Sequence, residues 1–529
     1  MNGALKEKLH AALPRAGAAA SGLLLFAAFP PLEWRNAAWV ALAPLLLAAR
    51  FVSVRRAAFC ALLAGALFWL ASIAWLTRVT VVGWIILALY SALYFVPPAV
   101  LMSAWSARRG VRSGWSNLAL MLLLAATWTG AEYLRATLFT GWPWNPLGAT
   151  QYANLPLIQL ARGGGVYAVS ALVVWVNAAL ALTILRYLDV RGHWGRRPHP
   201  ELMLGFLAVA LAVVYGWRSV RADRAEGLPL RVAVIQPNIP QDEKWTAEKF
   251  EMIYGRLRTL TEQALRVGGS DLVVWPETAV PDDIRDSEAS YGLAVEMVTN
   301  GAPLLVGSMD TEWLDEGPRY YNSSFLFDTN GMIVKGYDKR HLVIFGEYVP
   351  LQPFLPFVRA LTPIQASFSP GHTSTVFRLD RPDVPFSALI CFEDTVAPLA
   401  AESVRNGARV LFNQTNDAWF DPGWAPKQHM IQCVFRSVEN AVPSVRCANT
   451  GISCFIDRRG RVHDVLDDGN GFTRVMGIRA AEVRVPPEDM PLTFYTRHGD
   501  LFAQACAGFG ALALFFALRR GRDAGKKSE

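Results

Sequence analysis

The sequence predicts a chain in two parts, a bundle of membrane-spanning helices joined to an α/β domain. Three observations carry this. Of 529 residues, 52% are hydrophobic and only 18% charged, with a mean hydropathy of +0.23, too apolar and too long for one soluble domain. Apolar runs long enough to cross a bilayer crowd the first 220 residues and recur once near the C-terminus. Between them, from about 228 to 492, the runs shorten to strand length and alternate with amphipathic helical stretches.

The long runs lie near 17–31, 36–52, 57–77, 79–103, 117–134, 166–187, 202–219 and 500–518, about eight spans. This divides the chain into a membrane region of about seven helices (1–220), a polar domain (228–492), a final membrane helix (500–518) and a basic tail (519–529). The first run closes early on Pro30 and Pro31, which leaves a re-entrant or tilted segment open. No small-residue cleavage site follows it, so it is not read as a removable signal peptide. Lys6, Lys8 and Arg15 precede the first run; Arg50, Arg55 and Arg56 follow the second; Arg108, Arg109 and Arg112 follow the fourth. Arg186, Arg191, Arg196 and Arg197 follow the sixth, and Arg519, Arg520, Arg522, Lys526 and Lys527 the last. All these loops fall on one side, predicting cytoplasmic termini and an outside 220–499 block. Topology thus accounts for the net charge of +7 and argues against nucleic acid as a partner.

Within the polar block, strands are expected at 230–236, 271–277, 302–308, 322–328, 332–338, 386–393, 408–414, 444–449 and 453–457, and helices at 246–267, 287–300, 395–406 and 425–440. Strands alternating with helices predict an α/β domain. The Pro-punctuated segment 350–371, with Phe354, Leu355, Phe357 and Leu361, is too apolar for a disordered loop and is read as a lid or a buried connector.

Three strings carry chemistry: VVWPET with Glu277, YDKRHLVIFGEYVP with Lys339 and Glu347, and LICFED with Cys391. They supply a carboxylate, an ammonium and a thiol, the set needed for acyl transfer through a thioester. Cys391 closes an apolar strand at a strand-to-helix turn, where a nucleophile stands exposed above the sheet and following N–H groups can face an oxyanion. Glu277 ends another strand, at the position where open α/β sheets place active sites, and suits a general base. An ammonium at Lys339 would lower the thiol pKa and stabilise an anionic intermediate, with Glu347 to hold it. Taken singly, each has a plainer reading: an inert core thiol, a loop carboxylate, one of 51 basic residues, a surface acid. No metal site is indicated, since there is no CxxC and His341 and His429 are far apart. No cofactor fingerprint is present either, so the substrate must supply the energy. Cys433, Cys447 and Cys454 share the outward block, where a disulfide is permitted but unassigned.

The order WPE, YDKRHLVIFGE, ICFED resembles the nitrilase superfamily, whose domain is an αββα sandwich. With about seven spans before it and one after, the whole chain is similar to the apolipoprotein N-acyltransferase family. That resemblance implies Glu277 as general base, Lys339 as the intermediate-stabilising lysine and Cys391 as acylated nucleophile. Glu347 matches the supporting carboxylate, Phe392 and Glu393 the aromatic and acidic pair, and Trp245 an active-site tryptophan. Ile344 departs from the Pro expected in HLVPFGE and bears on the local turn. The resemblance also implies a bacterial inner-membrane enzyme with a periplasmic catalytic domain. Its donor would be a membrane phospholipid, typically phosphatidylethanolamine, and its acceptor the diacylglyceryl-cysteine amine of an apolipoprotein. A membrane-tethered amidase would use the same triad with water as acceptor. A transporter would need ionisable groups within its spans; Glu132 and Arg135, at i,i+3 spacing, read instead as a simple pair. The segment TGWPWNPLG (140–148) reads equally as an aromatic belt or part of a lipid pocket.

Overall fold

The computed structural model describes residues 3–109, 114–189, 199–222, 227–299, 301–348, 367–420 and 423–525. The lid expected at 350–371 falls, up to residue 366, outside the described residues, as do Arg112, Arg191, Arg196, Arg197, Lys526 and Lys527. The chain forms two compact units, one of residues 1–77, 81–219 and 500–529, the other of 78–80 and 220–499.

The first unit is helical: α1 (Gly3–Ala28), α2 (Ala43–Arg50), α3 (Val54–Ser72), α4 (Val81–Ala92), α5 (Val96–Arg109), α6 (Gly114–Thr137), α7 (Leu155–Ile158), α8 (Ala161–Asp189), α9 (Pro200–Ala222) and a closing helix, Leu501–Gly525. Among the described residues five stretches are long and apolar enough to cross a membrane: Val54–Ser72, Val81–Ser106, Ala161–Leu188, Pro200–Arg221 and Leu501–Arg519. α1 extends over 26 residues before Pro30, and its apolar part is the shorter stretch Ala12–Ala28. The run at 36–52 does not form one helix. It breaks into a 3-10 turn (Arg35–Trp39) and the eight-residue α2, about 12 Å of helix against a hydrocarbon core of about 30 Å. Asn177 of α8 makes the break tolerable: its Oδ1 accepts from the backbone N–H groups of Leu42 (2.8 Å) and Ala43 (3.2 Å), and its Nδ2 donates to Ala38 O (2.9 Å). Irregular backbone inside a membrane protein survives where protein groups satisfy it. Close helix approach adds cohesion, since a Cβ on Gly130 would meet Ala507 Cα at 2.5 Å.

Glu132 and Arg135 do not close on each other as expected; each reaches the 142–147 segment. Glu132 Oε1 accepts from Leu147 N (2.7 Å) and Trp128 Nε1 (2.8 Å). Arg135 donates to the carbonyls of Trp142 and Trp144, whose rings stack 5.3 Å apart.

Among the described residues the second unit contains two six-stranded sheets. Its strands are β1 (Leu228–Gln236), β2 (Leu272–Val274), β3 (Leu304–Leu314), β4 (Gly317–Phe327), β5 (Ile333–Asp338), β6 (Phe377–Asp380), β7 (Asp383–Ile390), β8 (Val410–Thr415), β9 (Ser444–Ala448), β10 (Cys454–Ile456), β11 (Val462–His463) and β12 (Gly477–Val485). Their spatial orders are β12-β1-β2-β3-β4-β5 and β11-β10-β9-β8-β7-β6. Alternation along the strands sets the layers. Leu230, Val232 and Val234 of β1 meet Phe386, Ala388, Ile390, Val410 and Phe412 of the second sheet in a shared core. Ala233 and Ile235 face the other way, onto α10 (Phe250–Val267) and α11 (Glu288–Thr299). On the second sheet Leu389 and Leu411 turn outward to Ala400 and Val404 of α12 (Ala397–Arg405), and α13 (Ala425–Asn440) packs beside it. This is an α-β-β-α sandwich, and central strands buried on both faces explain the near-continuous apolar runs. Cys433, Cys447 and Cys454 stand as buried free thiols.

β1, β2 and β3 run parallel, as do β7, β8 and β9. Their carboxyl ends are where the chemistry-bearing residues emerge. Gly307 of β3 permits the exit from β2, since a Cβ there would lie 2.2 Å from Pro276 O and 2.9 Å from Glu277 Cα. Gly307→Ala should therefore destabilise the protein by about 1–3 kcal/mol through overpacking, seen as a lower denaturation midpoint. An unchanged midpoint would show that the Pro276–Glu277 turn can move aside.

Candidate active site

Glu277 lies three residues beyond β2. Trp275 anchors this exit: its ring is fully buried, its Nε1 donates to Thr261 Oγ1 of α10 at 2.9 Å, and its carbonyl accepts from Gln414 Nε2 of β8 at 2.7 Å. The Glu277 side chain is also buried, and Asn322 Nδ2 of β4 donates to its Oε1 at 2.8 Å.

Lys339 follows β5 directly. Its backbone N–H donates to Asn322 O (2.8 Å) and its carbonyl accepts from Gly371 N (2.8 Å), which fixes the start of the side chain. Its Nζ, almost wholly buried, lies 2.7 Å from Glu347 Oε1 and 3.7 Å from Glu277 Oε1. Burial pulls the ammonium toward its neutral form, but Glu347 and then Glu277 more than reverse this and hold it well above the usual lysine range. Glu347 is held in turn, its Oε2 accepting from Val343 N at 2.8 Å. The 343–348 turn forms with Ile344 in place: Phe345 takes a positive φ of 60°, and Glu347 N donates to Val343 O at 2.8 Å.

Cys391 directly follows β7 and begins a 3-10 turn, Cys391–Thr395. Its φ of +52° is a left-handed conformation that a non-glycine residue adopts only when the surroundings enforce it. They do so at its carbonyl, which accepts from Asn413 Nδ2 (3.0 Å) and faces His429 Nε2 (3.2 Å). His429 sits between Asp417 (3.0 Å from Nδ1) and Asp394 (2.8 Å from Nε2). Arg446 then bridges both acids, 3.0 Å from Asp394 and 2.9 Å from Asp417, and donates to Asn413 Oδ1 at 2.6 Å. Burial opposes the His429 imidazolium, but the two carboxylates prevail over it and raise its pKa. On the other side of the turn, buried Glu393 accepts from Ile390 N (2.8 Å), Arg340 N (2.7 Å), His341 N (3.1 Å) and Tyr337 Oη (2.9 Å). It thereby ties the Cys391 turn to the chain on either side of Lys339.

Cys391 as a residue is partly exposed. Burial raises its pKa most, Glu277 adds to the rise, and Lys339 opposes it without prevailing. The lowering expected from Lys339 is present, but desolvation and Glu277 outweigh it. The resting sulfur holds its proton. A protonated thiol beside a carboxylate and a fixed ammonium can attack a carbonyl once the carboxylate accepts the proton and the ammonium answers the oxyanion.

Glu277, Lys339, Glu347 and Cys391 therefore come together. Glu393 ties two turns from beneath, and Phe392 stacks on His341 with ring centres 5.8 Å apart. Trp245 is about half exposed, its ring 5.8 Å from Lys244 Nζ. Sequence reasoning missed Asn322, Lys244, Asn413 and the Asp394–Asp417–His429–Arg446 cluster. Polar residues interrupting apolar strands, as in NSSFLF and SVRCA, were the available signal.

A family profile described as the apolipoprotein N-acyltransferase N-terminal domain matches residues 21–179, and one described as carbon-nitrogen hydrolase matches 231–482. The apolipoprotein N-acyltransferase of Geobacter metallireducens is 38% identical over 94% of this chain and 94% of its own length. That of Chlorobaculum tepidum is 31% identical over 94% and 96%. A solved structure of Saccharomyces cerevisiae Nit3, of the nitrilase superfamily, aligns at TM-score 0.37 and 20% identity, covering 54% of this chain and 96% of that one. The chain belongs to the apolipoprotein N-acyltransferase family of enzymes.

Proposed function

We propose that the protein transfers an acyl chain from a membrane phospholipid, phosphatidylethanolamine in the first instance, to the α-amino group of the diacylglyceryl-cysteine that begins an apolipoprotein. The observation that carries this reading is the partly exposed Cys391, its thiol under the combined charges of Glu277 and Lys339. In the first half-reaction Glu277 accepts the thiol proton and Sγ attacks the ester carbonyl of the lipid. The oxyanion is stabilised by the Lys339 ammonium and collapses, and Glu277 returns the proton to the departing alkoxide. A lysophospholipid leaves and Cys391 carries a thioester. In the second, the acceptor amine attacks the thioester, an amide forms, and the proton shed by the amine returns through Glu277 to the thiolate. Glu347 keeps Lys339 in place, Phe392 and Glu393 shape the nucleophile turn, and Trp245 flanks the entrance. Both substrates are anchored in lipid, so a domain tethered by membrane helices meets them in two dimensions and need not extract them. The Lys and Arg pattern supports an inner-membrane enzyme with the 220–499 domain on the periplasmic face.

Incubation of the enzyme with phospholipid alone should add one fatty-acyl mass on Cys391 that hydroxylamine removes. Cys391→Ala should abolish the adduct, and an adduct persisting in that variant would refute the nucleophile. The same experiment separates an amidase, which a small amide would acylate in place of a lipid.

Glu277→Ala and Lys339→Ala should each slow thioester formation by about 10²–10³-fold, the usual loss for one charge-stabilising group. Near wild-type acylation with a defect confined to amine transfer would show that the roles are misassigned.

Reporter fusions after Arg112, Arg197 and Arg522 should read cytoplasmic and one at Glu226 periplasmic. Opposite signs would place the site away from an outer-leaflet acceptor.

A further inference from the structure

Lys339 is fully engaged by its two carboxylates. The site holds a second buried ammonium that is not. Lys244, in the loop between β1 and α10, is 2% exposed, and its Nζ donates to the backbone carbonyl of Glu277 at 3.0 Å. Among the described residues no carboxylate lies within ion-pair distance of it. The ionisable groups that face it are Glu277 and Cys391. Besides Lys244, those that face Cys391 are Glu277, Lys339 and Asp417, and of these Asp417 is already paired with Arg446 and His429.

A charge count shows what Lys244 adds. In the resting site two ammoniums, Lys244 and Lys339, balance two carboxylates, Glu277 and Glu347. Passing the thiol proton to Glu277 moves negative charge to the sulfur without changing the total. Without Lys244 the same transfer takes place under one uncompensated negative charge, in surroundings that already penalise the thiolate.

We propose that Lys244 is a positioning residue for acyl transfer: it holds the Glu277 turn through its backbone carbonyl and supplies the positive charge that balances the anion as it forms at Cys391. The inference rests on Cys391 being the nucleophile, but not on the identity of the acyl donor. Burial pushes the Lys244 ammonium down to about 8, against the pull of Glu277 and Cys391, so the balancing charge is lost within an accessible pH range.

The test is alkylation of Cys391 by iodoacetamide in the full-length protein, followed by peptide mass spectrometry from about pH 6.5 to 9.5. In the wild type the rate should climb with pH and then flatten near pH 8 as Lys244 discharges. Lys244→Arg, which stays charged throughout, should climb without flattening. Lys244→Met should also lack the bend and react about tenfold more slowly at neutral pH, equivalent to one pKa unit on the thiol. A structural prop alone would leave both variants equally slow with the bend in place. That result, or a Met variant matching the wild type in rate and profile, would overturn the proposal. No lipid is used, so failure of phospholipid to acylate Cys391 would count against the donor and leave the Lys244 result to stand by itself.

Discussion

The site depends on one buried cation. A lysine ammonium taken out of water is tolerated only when opposite charges answer it, and Lys339 has Glu347 at 2.7 Å and Glu277 at 3.7 Å. Meeting that requirement forces three distant pieces of chain to one point: the exit of β2, the exit of β5 and the 343–348 turn. The framework complies because β5 is carried next to β4 by antiparallel pairing, and Asn322 on β4 binds both acids and the Lys339 backbone. Removal of either carboxylate would leave the ammonium short of a partner, so the arrangement is cooperative and its members act as a unit.

Cys391 is placed by a different device. Cys391 is aimed by its own backbone, in a left-handed conformation that would relax if nothing held its carbonyl. Two buried acids, an arginine and a histidine lie behind that carbonyl, while Glu393 gathers donors from the Lys339 segment. Buried charges of this kind contribute little net stability compared with apolar packing, but they fix a geometry that packing alone would leave loose. Different groups therefore surround the two ends of Cys391: His429, backed by Arg446, lies at its carbonyl, and Glu277 and Lys339 are charges that act on its thiol.

Much of this was legible in the chain. The core strands announced themselves as apolar runs because both of their faces are covered, and Glu277, Lys339 and Cys391 stood out as reactive groups at their ends. β12 did not, since GIRAAEVRV mixes charges with small residues and presents no apolar run, nor did the short edge strands β6 and β11. Lys244 was passed over although it adjoins the Trp245 that was singled out, because nothing local says that a lysine in a polar loop is buried against a turn thirty-three residues away. The His429–Arg446 cluster was likewise invisible: spacing along the chain does not encode a contact between a helix and a strand, and a lone histidine is ordinarily just a core residue. The net direction of the Cys391 pKa was hidden for a related reason. The lowering influence of the lysine beside it could be inferred, but not that burial and Glu277 would outweigh it.

The same demand, that a polar group away from water be answered, explains the helical unit. Hydropathy counts residues and so read 36–52 as one span, yet the chain there leaves the helix and Asn177 takes up the exposed backbone groups. Glu132 and Arg135 do the same for the 142–147 segment. Charged residues inside spans usually mark a conduction pathway. Here each is committed to backbone atoms of its own unit, so together they brace irregular chain. An ionisable group fixed in that way is poorly suited to releasing and rebinding a transported ion. What the helical unit gains from Glu132 and Arg135 is a defined shape at the Trp142–Trp144 stack, and a transport role loses its strongest residues.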